Sequence, residues 1–144
     1  MSQSSTAADA LRSSPFFAEL PAEAIEEILS VAQPASFEPG SAIVEEGDPG
    51  DGMFIVVGGT AEVDVGGRFH RLKAGEFFGE MALITASKRL ATVKATEPVE
   101  ALKIPAEEFR ALLNRRPEIA IAMLAGVVQR LREVEQRVDA WMGT

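Results

Sequence analysis

The sequence FFGEMALITASKRLATV, residues 77–93, has the features of an anion-binding turn. Gly79 and Glu80 begin a short apolar segment, and Arg89 follows Glu80 by nine positions. A helical turn that opens at Gly79 would direct free backbone N–H groups and the positive end of its dipole at one point. Arg89 can offer a planar, permanently charged fork to an anion at that point, whereas Glu80 accepts hydrogen bonds and suits a hydroxyl. The pattern therefore predicts a ligand in which a phosphate and a sugar hydroxyl lie side by side.

The same stretch resembles the phosphate-binding cassette of the cyclic-nucleotide-binding domain family. In that family the cassette pattern is Phe-Gly-Glu, a turn of small and apolar residues, then Pro-Arg, a small residue, Ala, Ser or Thr, and finally Val. A second segment, Gly47–Gly59, resembles the turn-and-strand signature of that family. The two motifs stand in the family's order and at about its spacing. The resemblance runs from about Phe16 to the end of the chain, and it implies leading helices, a β-roll, the cassette and two closing helices.

The patterning of apolar residues and glycines predicts an α+β fold that is mainly β. Short strands are predicted at residues 42–44, 53–57, 61–65, 69–72, 91–95 and 99–104. Evenly spaced short strands with glycine turns are typical of an antiparallel β-roll or jelly-roll barrel. Gly66–Gly67 suits a two-residue hairpin, because both positions need positive φ. Helical spacing after Pro21 and Pro105 predicts N-terminal helices before the roll and two C-terminal helices after it, with a short cassette helix between them.

At 144 residues the chain is long enough to bury one core, and we expect a single domain over residues 1–144. The expected parts are a loose tail at 1–8, a helical lead-in at 9–34, a β-roll at 35–104 that contains the cassette at 77–93, and C-terminal helices at 105–142. The tail is predicted to be loose because its residues are small and polar.

Composition limits the possible partners. The net charge is −8, which argues against nucleic acid or an anionic membrane, since both reward basic surfaces. The chain has no cysteine, which excludes disulfides and cysteine-ligated metal sites. No apolar run reaches membrane-spanning length, and the first residues lack a signal-peptide core. We therefore expect a cytoplasmic protein.

The resemblance assigns ligand-binding roles to individual residues. It implies that Arg89 binds the cyclic phosphate and that Glu80 binds the ribose 2′-hydroxyl. Gly79 and Ala82 match positions that offer backbone N–H groups and need small side chains for close approach. The full predicted set is Phe78, Gly79, Glu80, Met81, Ala82, Arg89, Leu90, Ala91, Val93 and Arg130.

Two positions depart from the family pattern, whereas Ala91 and Val93 match the strand beneath the pocket. Lys88 replaces the proline before the arginine and adds a charge near the phosphate. Leu90 replaces a small residue; its backbone N–H can still meet the phosphate, but its side chain has no hydroxyl. Relatives that favour cyclic GMP often carry Thr there, so we expect cyclic AMP as the ligand, with cyclic GMP as the alternative.

A long helix is predicted from Pro117 to about Met142. The apolar residues Leu124, Val127, Leu131, Val134, Val138 and Trp141 recur every three or four positions as a heptad seam. Either this seam joins a second copy in a parallel homodimer, or it packs on the chain's own β-roll. Arg130 falls where some bacterial channel relatives place an arginine over the base, and it also flanks the seam where it can pair with Glu135 of a second chain. We expect Arg130 to be the lid over the base.

The sequence lacks the residues of a catalytic site. His70 is the only histidine, and its neighbours Arg68 and Arg71 are cationic, so the metal ligands of related barrel enzymes are missing. We expect no catalytic residues, no metal and no cofactor. The expected function is a non-catalytic regulatory module that binds a cyclic nucleotide and transmits binding through its C-terminal helices to an unknown effector protein or output domain.

Two alternatives accompany this expectation. The chain can be a regulatory domain cut from a channel, a kinase or another larger protein, and the sequence does not distinguish this from a free-standing module. It can also be a dimerisation scaffold of the same fold that binds no ligand. The Glu80–Arg89 pair argues against the scaffold, because a buried charge without a partner is costly.

Overall fold

The computed structural model describes residues 3–65, 67–85 and 87–142. The helices in this part are α1 (Gln3–Ser13), α2 (Ala22–Val31), α3 (Glu80–Ile84), α4 (Ala106–Arg115) and α5 (Pro117–Met142). The strands are β1 (Gln33–Phe37), β2 (Ala42–Val44), β3 (Gly52–Gly58), β4 (Ala61–Val65), β5 (Arg68–Leu72), β6 (Phe77–Phe78), β7 (Thr92–Ala95) and β8 (Val99–Pro105).

The strands form two four-stranded antiparallel sheets, in the orders β1-β8-β3-β6 and β2-β7-β4-β5. Neighbouring strands in both sheets are antiparallel throughout. In the part of the chain that the structure describes, no ladder joins the two sheets, so they form an open roll. The predicted mainly β fold, an antiparallel β-roll with flanking helices, is confirmed, and the roll is not a closed barrel.

Strand β3 separates two apolar cores, one on each of its faces. Successive side chains on a strand point to opposite faces. Phe54 and Val56 pack between the two sheets, whereas Met53 and Ile55 pack toward the helices. The helices contribute the buried side chains Leu11, Ile28, Phe109, Leu112, Ile119 and Met123 to this second core. Burial on both faces explains why β3 is an uninterrupted apolar run in the sequence.

The N-terminal region differs from the prediction in two places. Helix α1 covers most of the stretch expected to be a loose tail. Its Ala7 and Leu11, one helical turn apart, are buried in the helical core and hold the helix in place. Strand β1 begins at Gln33, within the expected helical lead-in, and contains Pro34. Because β1 is an edge strand, Pro34 can lack a backbone N–H without removing a hydrogen bond between interior strands of the sheet.

The predicted hairpin between β4 and β5 is confirmed. Val65 pairs with Arg68, and Gly67 has a φ of 83°. The Gly67 N–H donates to Asp64 Oδ1 at 2.9 Å. Position 66 lies outside the described residues.

Helix α5 packs against the roll at a glycine. A Cβ at Gly126 would stand 2.9 Å from the ring of Phe77 and 3.2 Å from the ring of Phe16. Because only a hydrogen fits there, the helix lies directly on these rings, with Ile119 and Met123 buried earlier along the same face. This contact places Arg130, one turn beyond Gly126, beside the cassette.

The other face of α5 carries exposed apolar residues. Leu124, Val127 and Leu131 are 59%, 37% and 56% exposed, so these three seam residues do not pack on the roll. The alternative that the seam covers the chain's own β-roll is therefore wrong for them. Positions 134, 138 and 141 of the seam lie in α5, and their side chains are outside the description. No helix among the described residues is long and apolar enough to cross a membrane.

Candidate functional site

The cassette begins with a tight turn at Gly79, between β6 and α3. Gly79 has a φ of 87°, a conformation that favours glycine. A Cβ at this position would also lie 2.7 Å from Nη1 of Arg89. Two independent constraints, the backbone angle and the close approach of the arginine, therefore require glycine at the start of the predicted cassette helix.

Arg89 is buried, and the roll itself supplies the acceptors for its guanidinium. Nη1 donates to the carbonyl of Gly79 at 2.9 Å, and Nη2 donates to the carbonyl of Gly52 at 2.6 Å. Nη2 also donates to Asp51 Oδ1 at 3.3 Å. These contacts use three of the five N–H donors of the guanidinium, so the side chain is oriented while donors remain for a further acceptor.

The glycine-rich turn before β3 packs against the cassette. The N–H of Arg89 donates to the carbonyl of Asp48 at 2.8 Å, and its carbonyl accepts from the N–H of Gly47 at 2.9 Å. A Cβ at Gly50 would lie 2.6 Å from Cβ of Ala82. The two sequence motifs are therefore parts of one structure, and the small residues of each allow the other to approach.

Glu80 is buried at the start of α3, and its partner is Arg130. Arg130 Nη1 donates to Glu80 Oε1 at 3.0 Å. Burial raises the pKa of Glu80 above its ordinary value, although the charge of Arg130 acts in the opposite direction.

Neither Glu80 nor Arg89 depends on a ligand for its partners in the structure. Each charge has its own partners: Arg130 for Glu80, and two carbonyls with Asp51 for Arg89. The argument that a buried charge would be left unpaired without a ligand is therefore wrong. The cassette sequence predicted that both side chains lie in one site, but it did not predict which groups each of them contacts.

Arg130 reaches the cassette from α5 through three contacts. Besides its bond to Glu80, its Nη2 donates to the carbonyl of Phe77. Its Cζ lies 4.6 Å from the centroid of the Phe77 ring, over a π-face that attracts a cation. The predicted lid residue is thus bound to its own chain's cassette, and Glu135 of a second chain is not needed to neutralise it.

Three charged side chains near the cassette were not predicted. Asp51 bridges Arg89 and Lys103, with Lys103 Nζ 2.8 Å from Oδ2. The hydrogen bond from Lys103 lowers the pKa of Asp51 below its ordinary value. On the other side, Arg110 of α4 donates to the carbonyl of Leu83 at 3.4 Å, at the end of α3. The Asp51-Gly52 pair at the start of β3 is the only sequence signal for any of them, and it does not reveal that Lys103 lies on the neighbouring strand.

The remaining predicted residues lie in different surroundings. Phe78 stacks on Phe54 inside the roll, at 5.2 Å between centroids. Val93 is buried between the sheets, and Ala91 lies just before β7 rather than within it. Leu90 is 58% exposed beside Arg89. The backbone of Met81 lies in α3, and its side chain is outside the description. The structure thus brings Gly79, Glu80, Ala82, Arg89 and Arg130 together around one short helix.

Comparison with known proteins agrees with this geometry. The chain matches the model of the family described as the cyclic nucleotide-binding domain over residues 34–116. It is 40% identical over 106 residues to a cyclic nucleotide-gated potassium channel of Rhizobium etli, an alignment that covers 74% of this chain and 30% of the channel. It is 32% identical over 135 residues to the cyclic AMP receptor protein of Thermus thermophilus, covering 90% of this chain and 62% of the receptor.

A solved structure shows the same architecture. The crystal structure of the catabolite activator protein of Thermus thermophilus superposes with a TM-score of 0.76 at 32% identity, covering 90% of this chain and 63% of that one. The chain spans between 27% and 62% of the lengths of the first curated relatives that it matches.

Proposed function

Because the chain belongs to the cyclic nucleotide-binding domain family, we propose that it binds a cyclic nucleotide and regulates a partner without catalysis of its own. One observation carries the proposal: a buried cation and a buried acceptor flank one short helix. Arg89 donates to Gly79 immediately before α3, and Glu80 is the first residue of α3. A cyclic nucleotide presents a phosphate and a ribose hydroxyl to match these two groups.

The phosphate contacts Arg89 and the backbone at the start of α3. The guanidinium is held by three acceptors of the roll and has further donors available. A charge-assisted bond from a fixed arginine is among the stronger polar contacts a protein makes. Gly79 and Ala82 keep the approach to the backbone N–H groups open.

The ribose hydroxyl donates to Glu80 and so shares that carboxylate with Arg130. Binding at Glu80 therefore acts on Arg130 and, through it, on α5. Arg130 already lies over the π-face of Phe77. We infer that its guanidinium transfers to the face of the base, where stacking is worth on the order of 0.5–2 kcal/mol. In this arrangement Arg130 is the lid over the base.

Cyclic AMP is the favoured ligand, and cyclic GMP is the alternative. Leu90 follows Arg89 and is exposed beside it, and its side chain offers no hydroxyl to the amino group of guanine. A missing hydrogen bond of this kind is worth about 1 kcal/mol. Leu90→Thr, which supplies the hydroxyl, should therefore narrow the difference in affinity between the two ligands by about this amount.

The signal leaves through the C-terminal helices. Arg110 links α4 to α3, and Arg130 links α5 to Glu80, so both closing helices contact the cassette directly. We propose that a ligand at the cassette shifts these helices and thereby acts on an effector protein or output domain. The net charge of −8 favours neither nucleic acid nor an anionic membrane as that partner. We also propose a cytoplasmic location.

Self-association is a second proposed function, which is compatible with the first. The exposed faces of Leu124, Val127 and Leu131 recur at heptad spacing on α5. Apolar residues at this spacing favour a parallel two-helix contact between copies of the chain. If the chain bound no ligand, this surface would make it a dimerisation scaffold of the same fold.

Calorimetric titration of the chain with cyclic AMP and with cyclic GMP tests the proposal. We expect saturable binding of both, tighter for cyclic AMP, and a higher melting temperature, because a ligand that binds only the folded state stabilises it by about 2.7 kcal/mol at a hundredfold excess over Kd. Absence of both heat and a thermal shift at millimolar ligand would contradict the proposal. A preference for cyclic GMP would show that a residue other than Leu90 reads the base.

A further inference from the structure

The carboxylate of Asp51 lies between two cations from different parts of the roll. Oδ1 is 3.3 Å from Nη2 of Arg89, and Oδ2 is 2.8 Å from Nζ of Lys103. Asp51 immediately precedes β3, and its backbone carbonyl accepts from the N–H of Ala106 at 3.1 Å, where α4 begins. The backbone that carries this carboxylate is therefore anchored to α4, while its side chain joins the two cations.

Lys103 is packed so that its ammonium group reaches Asp51. It lies on β8, directly opposite Phe54 of β3, and its Nζ is 5.8 Å from the centroid of the Phe54 ring. Its stem crosses Gly52, where a Cβ would stand 2.9 Å from Cε and 3.3 Å from Cγ of the lysine. The lysine side chain is only 29% exposed. Gly52 thus both makes room for Lys103 and offers its carbonyl to Arg89.

The charges of Asp51 and Lys103 have opposite effects on the binding of a phosphate at Arg89. Asp51 holds a donor of Arg89 that a phosphate would also attract, and its negative charge repels the phosphate. Lys103 occupies the other oxygen of Asp51 and offsets its charge, which weakens both effects. Without Lys103, the full charge of Asp51 would act on Arg89.

We propose that Lys103 and Asp51 are positioning residues that set the affinity of Arg89 for an anionic phosphate, with Lys103 acting through Asp51. The proposal rests on the proposed function and adds to it two residues outside the cassette. Asp51 orients the guanidinium in competition with the ligand, and Lys103 limits that competition. In this relay, which runs from Lys103 through Asp51 to Arg89, a lysine on β8 therefore adjusts the affinity of the phosphate site.

A double-mutant cycle tests this relay by calorimetric titration with cyclic AMP, using Lys103→Met, Asp51→Asn and the combined variant. Lys103→Met should weaken binding by about two- to fivefold, the range for a partly exposed ion pair. Asp51→Asn should tighten binding, because it removes the competing charge. In the Asp51→Asn background, Lys103→Met should leave the affinity unchanged, since its path of action is gone. Lys94→Met, at an exposed lysine on β7 in the other sheet, is the matched control and should have no effect.

Each other outcome overturns the relay. If Lys103→Met has the same effect with and without Asp51, the lysine acts on the ligand directly. If Lys103→Met lowers only the melting temperature and not the affinity, the ion pair is structural. If the unmodified chain binds neither cyclic AMP nor cyclic GMP, the proposed function is wrong and the relay is wrong with it. If the unmodified chain binds cyclic AMP and Lys103→Met leaves that affinity unchanged, only the relay is wrong.

Discussion

Arg89 and Arg130 both reach the cassette, but they are held in different ways. Arg89 belongs to the cassette, and its acceptors are two carbonyls and a carboxylate of the roll. Arg130 belongs to α5, its side chain is 28% exposed, and it binds the carboxylate of Glu80 and the carbonyl of Phe77. The position of Arg89 is therefore set by the roll, whereas that of Arg130 depends on where α5 lies. The first suits recognition of a ligand, and the second suits a response to it.

Replacing Arg89 gives the largest expected effect on ligand binding. Truncating one partner of a buried charged contact costs about 2–5 kcal/mol, so Arg89→Ala should weaken cyclic AMP binding by roughly thirtyfold or more. Calorimetric titration measures the change. Lys94→Ala, at an exposed lysine on β7 outside the predicted site, is the control and should change affinity little.

Folding must be separated from binding in this variant, because Arg89 also joins Gly52 to Gly79. Circular dichroism before titration shows whether Arg89→Ala is folded. Arg89→Lys, which keeps the charge but not the planar fork, is a second variant to which the same check applies. Unchanged affinity in a folded Arg89→Ala variant would show that the phosphate does not bind where the roll holds this arginine.

Replacing Arg130 should have a smaller effect, because the contact proposed for it with the ligand is stacking on the base. Arg130→Ala should weaken cyclic AMP binding by about 0.5–2 kcal/mol and leave sedimentation unchanged, whereas Glu135→Ala should leave affinity unchanged. Tighter binding after Arg130→Ala would show that Arg130 competes with the ligand for Glu80 and is not a lid. If both variants alter self-association and neither alters affinity, Arg130 is an interface residue.

The smallest effect is expected in the dependence of stability on pH, where Glu80 and Asp51 act with opposite signs. Burial raises the pKa of Glu80 above its ordinary value of 4.5. Its contribution to stability is therefore fully present below pH 4.5 and is lost as pH rises through the raised pKa. Asp51, whose pKa is lowered from 3.8, contributes stability that is lost as pH falls.

Urea denaturation of the unmodified chain and of Glu80→Gln, from below pH 4.5 to neutral pH, measures this effect. The free energy of unfolding of Glu80→Gln relative to the unmodified chain should rise with pH across the window above 4.5. Glu45→Gln, at an exposed carboxyl after β2, is the control. A relative stability that falls with pH would mean that the charge of Arg130 outweighs the burial of Glu80.

Local sequence predicted the parts of the molecule that depend on neighbours along the chain. The glycine turns, the hairpin at Gly67, the start of α3 after Gly79 and the two closing helices follow from backbone preferences that act over a few residues. Strand β1 did not follow, because Pro34 is a poor strand residue everywhere except at a sheet edge. Only the finished sheet determines which strand is the edge.

The contacts of the site were predicted less well than its members. The cassette pattern predicted Glu80 and Arg89 as site residues, but it did not predict that Arg130, on a helix at the far end of the chain, donates to Glu80. Lys103 reaches Asp51 across a register that pairs Lys103 with Phe54. Charge partners of this kind depend on tertiary packing over about fifty residues, which no local pattern contains.

Gly126 has a consequence for engineering a sensor from this domain. A methyl group there would collide with the rings of Phe77 and Phe16 and lift α5 from the roll. Arg130 lies one turn beyond Gly126 on α5 and contacts Glu80 and Phe77. Under the proposed function, a substitution at Gly126 should therefore alter ligand affinity as well as the response.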